Sequence, residues 1–131
     1  MSRVLSVGQC GYDHGTIARQ LVRVFGADVV GAATFGEAIE SLRGGQFDLV
    51  LVNRVSDADG SSGLDLIRTL KADPELAGVP VMLVSDYPDA QGQAEALGAL
   101  PGFGKSEISK ERAQTRVRSI LGDRPTEAPG G

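Results

Sequence analysis

Short runs rich in β-branched residues and leucine alternate along the chain with longer stretches in which apolar residues recur at helical spacing. That alternation is typical of a parallel sheet covered by helices on both faces. It predicts an α/β protein with a doubly wound, five-stranded parallel sheet. The fifth strand is inferred mainly because its position completes the alternation. The predicted strands are Arg3 to Val7, Ala27 to Ala32, Phe47 to Val52, Pro80 to Val84 and Gly102 to Gly104.

Helices are expected between these strands and after the last one. Thr34 followed three residues later by Glu37 is a capping-box pattern, because the hydroxyl and the carboxylate can each satisfy a free backbone donor at a helix start. This pattern places the start of the second helix next to Phe35. The predicted helices are His14 to Phe25, Phe35 to Arg43, Gly63 to Ala72, Pro88 to Leu97 and Glu107 to Leu121.

The size of the chain predicts one domain. It has 131 residues, of which 41% are apolar, and a chain of that size can bury one substantial core. We expect this domain to occupy residues 1–122. Residues 123–131 are polar and contain several proline and glycine residues, a composition that predicts a disordered tail or the stub of a linker.

Charge and cysteine content exclude several classes of function. The formal net charge is −4 and the pI is near 4.9, which disfavours nucleic-acid binding by this domain alone because such proteins carry a concentrated basic surface. The single cysteine, Cys10, cannot form an internal disulfide. The apolar start of the chain is too short for a signal peptide or a membrane span. We therefore expect a cytoplasmic protein without membrane contact.

Candidate site residues follow the predicted strands directly. In doubly wound sheets, ligands bind beyond the carboxyl ends of the strands, where the strand order reverses. We therefore expect the residues at these ends to converge on one shallow site. They are Gly8, Gln9 and Cys10 after the first strand, Asn53 and Arg54 after the third, Ser85 and Asp86 after the fourth, and Lys105 after the fifth.

Three positions carry a resemblance to a known family. A serine after the fourth strand (Ser85), a lysine after the fifth (Lys105) and a glycine opening the third helix (Gly63) lie at the expected spacing. On these residues the chain, from about Arg3 to Leu121, resembles the receiver domains of bacterial response regulators. The resemblance implies a CheY-like, flavodoxin-like (βα)5 fold with strand order 2-1-3-4-5. It also implies a role in two-component, phosphorelay-type signal transduction.

The chain departs from that family at the charged positions. Receiver domains have an acidic pair after the first strand and an acceptor aspartate after the third, whereas this chain has Gln9, Cys10 and Asn53 there. Aspartyl phosphorylation needs a carboxylate nucleophile and a divalent cation held by anionic oxygens. We therefore expect an atypical receiver domain, a pseudo-receiver that binds no Mg²⁺ or other cofactor, is not an enzyme, and acts by phosphorylation-independent protein–protein interaction.

The missing carboxylates leave Lys105 without the counter-ions that the family provides. We expect its ammonium group to pair with a loop carboxylate, Asp57 or Asp86, or to hold a bound anion. Asp57 and Asp59 also provide an alternative function, since either could serve as a substitute phosphoryl acceptor. Ser85 and Asp86 have a structural alternative too, in which the serine begins a turn and the aspartate caps the next helix.

A hypothesis from another class concerns His14. The sequence Asp13-His14-Gly15 is faintly similar to the Asp-x-His-x-x-Gly motif of cobalamin-binding domains that share this fold, but its spacing differs. A flavodoxin-like module that binds a small ligand, an anion or cobalamin is therefore the alternative, with a solvent-exposed His14 preferred. The chain has no Walker phosphate loop, dinucleotide fingerprint or nucleophile elbow.

The expected partner is a signalling protein, which could be a kinase, a regulator or an effector. A homodimer is the alternative. The resemblance places the contact surface on the last strand and the helices beside it.

Overall fold

Five parallel strands form the centre of the fold in a computed structural model that describes residues 2–122. They are β1 (Arg3–Val7), β2 (Asp28–Ala32), β3 (Leu49–Asn53), β4 (Val81–Val84) and β5 (Leu100–Phe103). The strands lie in the order β2-β1-β3-β4-β5. The predicted fold class and strand order are confirmed. Asn53 is the last residue of β3 and does not follow it, because its backbone still pairs with Val84 of β4.

Helices follow every strand. They are α1 (Gly11–Phe25), α2 (Phe35–Gly44), α3 (Gly63–Ala72), α4 (Pro88–Ala96) and α5 (Glu111–Leu121), with a short 3₁₀ turn at Lys105–Glu107. Two predicted helix starts are wrong. Helix α1 begins three residues early because the thiol of Cys10 caps it. The predicted Glu107 to Leu121 helix is split, since the Glu107 carboxylate accepts a hydrogen bond from the Gly104 amide and closes the 3₁₀ turn first.

The start of α2 is the capping box expected from the sequence. The Thr34 hydroxyl accepts a hydrogen bond from the Glu37 amide at 3.2 Å, and the Glu37 carboxylate accepts one from the Thr34 amide at 3.0 Å. The same carboxylate also accepts from the Ala33 amide. The reciprocal bonds fix the direction in which the chain leaves β2.

Two apolar layers hold the helices against the sheet. Alternate residues of β1 and β3 face opposite layers, so that Leu5 and Val50 pack with α2, α3 and α4, whereas Val4 and Leu51 pack with α1 and α5. All five residues of β3 are buried. Each fully buried Val or Leu side chain stabilises the fold by about 1.5–3 kcal/mol relative to exposure, so the central strand is fixed most firmly.

Gly63 sets the distance between α3 and the end of β3. A Cβ atom at this position would lie 2.1 Å from the backbone oxygen of Asn53. The Gly63 amide instead donates a hydrogen bond to the Arg54 carbonyl at 2.7 Å. Only glycine allows this close approach, so the glycine predicted to open the third helix also positions the site.

The edge strand β5 contains an irregularity. Met82 is paired with Leu100 and Val84 with Phe103, so that one residue of β4 lies opposite two residues of β5, Pro101 and Gly102. The predicted strand at Gly102 to Gly104 therefore began two residues too late. Local propensity misplaces it because proline and glycine disfavour strands, and the pairing with buried β4 overrides that preference.

The single domain expected at residues 1–122 stays a prediction, and the structure describes residues 2–122. The tail predicted at 123–131 lies outside the described residues. Among residues 2–122, no helix has the length and apolar character needed to cross a membrane.

Candidate functional site

A cleft of about 280 Å³ lies at the carboxyl ends of β3, β4 and β5. The structure brings five of the predicted site residues together in it, namely Asn53, Arg54, Ser85, Asp86 and Lys105. Gly8, Gln9 and Cys10 do not line the cleft. The remaining lining residues are Val55, Val84 and Tyr87.

Asn53 is buried at the base of the cleft, with 6% of its surface exposed. Its amide nitrogen Nδ2 donates a hydrogen bond to the backbone oxygen of Gly8 at 3.0 Å. The backbone amide of Asp57 donates to the same oxygen at 2.9 Å. An ionised carboxylate has no donor for this oxygen, so the local structure at residue 53 fits an amide.

The side chains after β1 are uncharged. The thiol of Cys10 accepts a hydrogen bond from the Asp13 amide at 3.4 Å and serves as the N-cap of α1. The side-chain nitrogen and oxygen of Gln9 are both buried and find no hydrogen-bond partner in the described part of the chain. Neither residue supplies an anionic oxygen.

Lys105 forms an ion pair with Asp13. Its ammonium nitrogen lies 3.0 Å from the Asp13 carboxylate, and the two side chains are 38% and 22% exposed. The prediction that Asp57 or Asp86 would be the partner is wrong. Because α1 begins at Gly11, Asp13 falls in the first turn of that helix, where its carboxylate also interacts favourably with the helix dipole.

The loop after β4 is held by polar contacts. The Ser85 hydroxyl accepts a hydrogen bond from the Tyr87 amide at 3.1 Å, so Ser85 forms the turn that precedes α4. The prediction that Asp86 caps α4 is wrong, since the capping position is Tyr87 and no side chain caps the helix. Asp86 instead accepts a hydrogen bond from the Ser106 hydroxyl at 3.0 Å.

The two candidate substitute acceptors, Asp57 and Asp59, lie in the exposed loop after β3. The Asp59 carboxylate accepts a hydrogen bond from the Ser61 amide at 3.0 Å. Hydrogen bonds from Ser61 hold the pKa of Asp59 below its ordinary value, and the ionised carboxylate is therefore bound to its own loop. The loop is folded back on itself by the bonds from Ser56 to Ser61 and from Gly60 to Ser56.

His14 is partly buried, and the prediction that it is solvent-exposed is wrong. Its imidazole packs against the backbone of β2, where a Cβ atom at Gly31 would lie 3.1 Å from the ring. Glycine on the edge strand makes room for the ring. Within residues 2–122, no cluster of three or more His, Cys, Asp or Glu side chains could hold a metal ion.

The sequence predicted no contact between two of the residues that line the cleft, Arg54 and Tyr87. The guanidinium group of Arg54 lies over the ring of Tyr87, 4.8 Å from its centroid. Such a contact is worth about 0.5–1 kcal/mol at an exposed site. Tyr87 is nevertheless 60% exposed. The sequence shows only that Arg54 follows Asn53 directly, and no spacing rule predicts a contact between Arg54 and Tyr87.

Comparison with solved structures places this geometry in a known fold. A response regulator from Thermotoga maritima matches with a TM-score of 0.75 and 23% identity, over 92% of this chain and 98% of that one. The signal receiver domain of a DNA-binding response regulator from Colwellia psychrerythraea 34H matches with a TM-score of 0.73 and 20% identity, over 90% and 99%. This chain has the receiver-domain fold.

Two further comparisons concern related sequences and chemistry. The chain is 31% identical over 121 residues to the transcriptional regulatory protein ZraR of Escherichia coli strain K12, covering 86% of this chain and 26% of ZraR. It thus spans about a quarter of that relative. The receiver fold also matches a response regulator from Burkholderia pseudomallei at a TM-score of 0.71 and 21% identity, over 92% of this chain and 66% of that one. The Burkholderia structure contains a phosphorylated aspartic acid, a calcium ion and citrate. No protein-family model matches the chain.

Proposed function

We propose that this chain is a response-regulator receiver domain of two-component signalling that acts by phosphorylation-independent binding to a protein partner. The receiver fold and the sequence similarity to ZraR support the signalling role. The observation that carries the finer proposal is the hydrogen bond from the Asn53 amide to the Gly8 carbonyl. An amide nitrogen committed to that bond is not a nucleophile, and the amide oxygen is a poor one.

The residues present do not fit a divalent cation. Mg²⁺ prefers anionic oxygen ligands, whereas the positions where the family resemblance places the acidic residues hold Gln9, Cys10 and Asn53. Two carboxylates close to the cleft already have partners, since Asp13 pairs with Lys105 and Asp86 accepts from Ser106. We accordingly propose that the domain needs no metal or other cofactor and has no enzymatic activity.

The partner of Lys105 agrees with this proposal. Its ammonium group lies 3.0 Å from the Asp13 carboxylate in the first helix, because positions 9, 10 and 53 offer no carboxylate. Ser85 and Lys105 line the cleft, but under this proposal no phosphorylated carboxylate forms there for them to bind. The partner that we propose is a signalling protein, with a second copy of the chain as the alternative, and the proposed location is the cytoplasm.

The test is incubation with acetyl phosphate and Mg²⁺, followed by intact-mass measurement. We expect no phosphoryl adduct on the natural chain. A triple variant in which Gln9, Cys10 and Asn53 are all changed to aspartate provides the matched control, because it restores the nucleophile and the acidic pair. An adduct on the natural chain, mapped by peptide sequencing to Asp57 or Asp59, would replace this proposal with phosphorylation at a substitute acceptor.

A further inference from the structure

The side chain of Gln91 fills the irregularity between β4 and β5. Because Leu83 lies opposite both Pro101 and Gly102, the ladder leaves backbone groups unpaired there, and proline has no amide hydrogen to donate. The Gln91 nitrogen Nε2 donates hydrogen bonds to the carbonyl of Leu83 at 2.9 Å and to that of Ser85 at 3.0 Å. Its oxygen Oε1 accepts from the Gly102 amide at 3.2 Å.

These bonds connect three elements through one residue. Gln91 belongs to the first turns of α4, whereas its partners lie in β4, in the loop after it, and in β5. A helix that moved relative to the strands would have to break at least three hydrogen bonds in a partly buried place. Buried polar groups that lose their partners are costly, so α4 has one strongly preferred position.

A second contact connects the loops that follow β4 and β5. The Ser106 hydroxyl donates to the Asp86 carboxylate at 3.0 Å. The loops are so close that a Cβ atom on Gly104 would lie 1.7 Å from the Asp86 oxygen Oδ1.

We propose that Gln91 and the Asp86–Ser106 pair form a latch that holds the β4–α4 loop and α4 against β5 in one arrangement without any covalent modification. The latch shares Asp86 with the cleft and does not involve Gln9, Cys10 or Asn53. Its consequence for signalling, a partner surface that is permanently presented, rests on the proposed function. The claim that these contacts hold α4 and the β4–α4 loop against β5 does not depend on the proposed function.

Hydrogen exchange of the full chain, read by mass spectrometry, tests the latch. Gln91→Leu removes both the donor and the acceptor at nearly constant size, and Gln93→Leu, two residues further along α4 at an exposed position, is the matched control. We expect the amides of residues 85–92 and 102–107 to exchange about tenfold faster in Gln91→Leu, the change that corresponds to about 1.4 kcal/mol. Exchange in β1 and β3 should be unchanged.

Ser106→Ala is the milder second variant, with Ser109→Ala as its control, and it decides the question if Gln91→Leu does not fold. Local acceleration confined to the two loops supports the latch. Exchange equal to that of the controls, or faster exchange spread evenly over the whole domain, would overturn it. Phosphoryl labelling of the natural chain by acetyl phosphate would refute the proposed function and leave the exchange result intact, so the two failures are distinguishable.

Discussion

Replacing Asn53 by aspartate tests the structural basis of the proposed silent site. The substitution is nearly isosteric, but it exchanges the donor that contacts the Gly8 carbonyl at 3.0 Å for an oxygen. In its protonated form the introduced carboxyl can still donate to that carbonyl. In its ionised form it cannot, and it must lose hydration at a position that is only 6% exposed. Both effects raise the pKa of the introduced carboxyl above its value in the unfolded chain.

The magnitude follows from linkage. A carboxyl that is largely buried commonly has its pKa raised by about two units, and each unit corresponds to about 1.36 kcal/mol. The raised pKa means that the folded variant binds the proton more tightly than the unfolded chain. Its stability relative to the natural chain therefore falls as pH rises from about 4 and levels off above the folded-state pKa. At pH 7 we expect a loss of about 3 kcal/mol, or roughly 10 °C in Tm for a domain of this size.

The assay is urea unfolding followed by circular dichroism, because the chain has no tryptophan. Measurements at pH 3.5 and pH 7.5 avoid the region of the pI, and EDTA excludes stabilisation by an adventitious cation. Asn53→Ala is the control, since it removes the same hydrogen bond without adding a titratable group, and its loss of about 1–2 kcal/mol should be equal at both pH values. If Asn53→Asp is as stable as the natural chain at pH 7.5, or loses the same free energy at both pH values, the reasoning is refuted.

Three further predictions concern single contacts. Gly63→Ala should cost more than about 3 kcal/mol of unfolding free energy, because its Cβ would meet a backbone oxygen at 2.1 Å. The control Gly44→Ala, in open space, should be neutral or stabilise the fold by up to about 1 kcal/mol. Thermal unfolding measures both variants, and equal effects would contradict the predicted clash. A double-mutant cycle with Asp13→Ala and Lys105→Ala should give a coupling of about 0.2–1 kcal/mol that shrinks in 1 M salt; a salt-independent coupling would show that the pair is not mainly electrostatic. Thr34→Ala should cost about 1 kcal/mol by urea unfolding through loss of the cap, and an unchanged midpoint would show that the cap does not stabilise α2.

The fold was predictable because its signals are spread over many residues. Each buried strand is a run of several apolar residues, and one misread position does not change its identity. The wrong predictions concern elements whose first residue is determined by a single local contact. The start of α1 depends on an unusual cap, the thiol of Cys10, and the start of β5 depends on pairing across Pro101 and Gly102 that no local propensity favours.

The site was predictable only in part. The rule that strand ends converge identified Asn53, Arg54, Ser85, Asp86 and Lys105, because backbone topology alone fixes where those residues lie. It could not identify side-chain partners, which depend on helix starts and rotamers. The pairing of Lys105 with Asp13 followed from a helix start that was missed, and the role of Gln91 follows from a β-bulge that single-sequence patterns do not reveal.

The shared carbonyl of Gly8 has an evolutionary consequence. It receives donors from both the Asn53 side chain and the Asp57 backbone, so a mutation to aspartate at residue 53 disturbs a contact that also anchors the neighbouring loop. Under the proposed function, that variant would be less stable at neutral pH, and phosphoryl transfer would still need changes at residues 9 and 10. On that proposal, single substitutions reach a phosphotransferring site only through a less stable intermediate, which selection would remove.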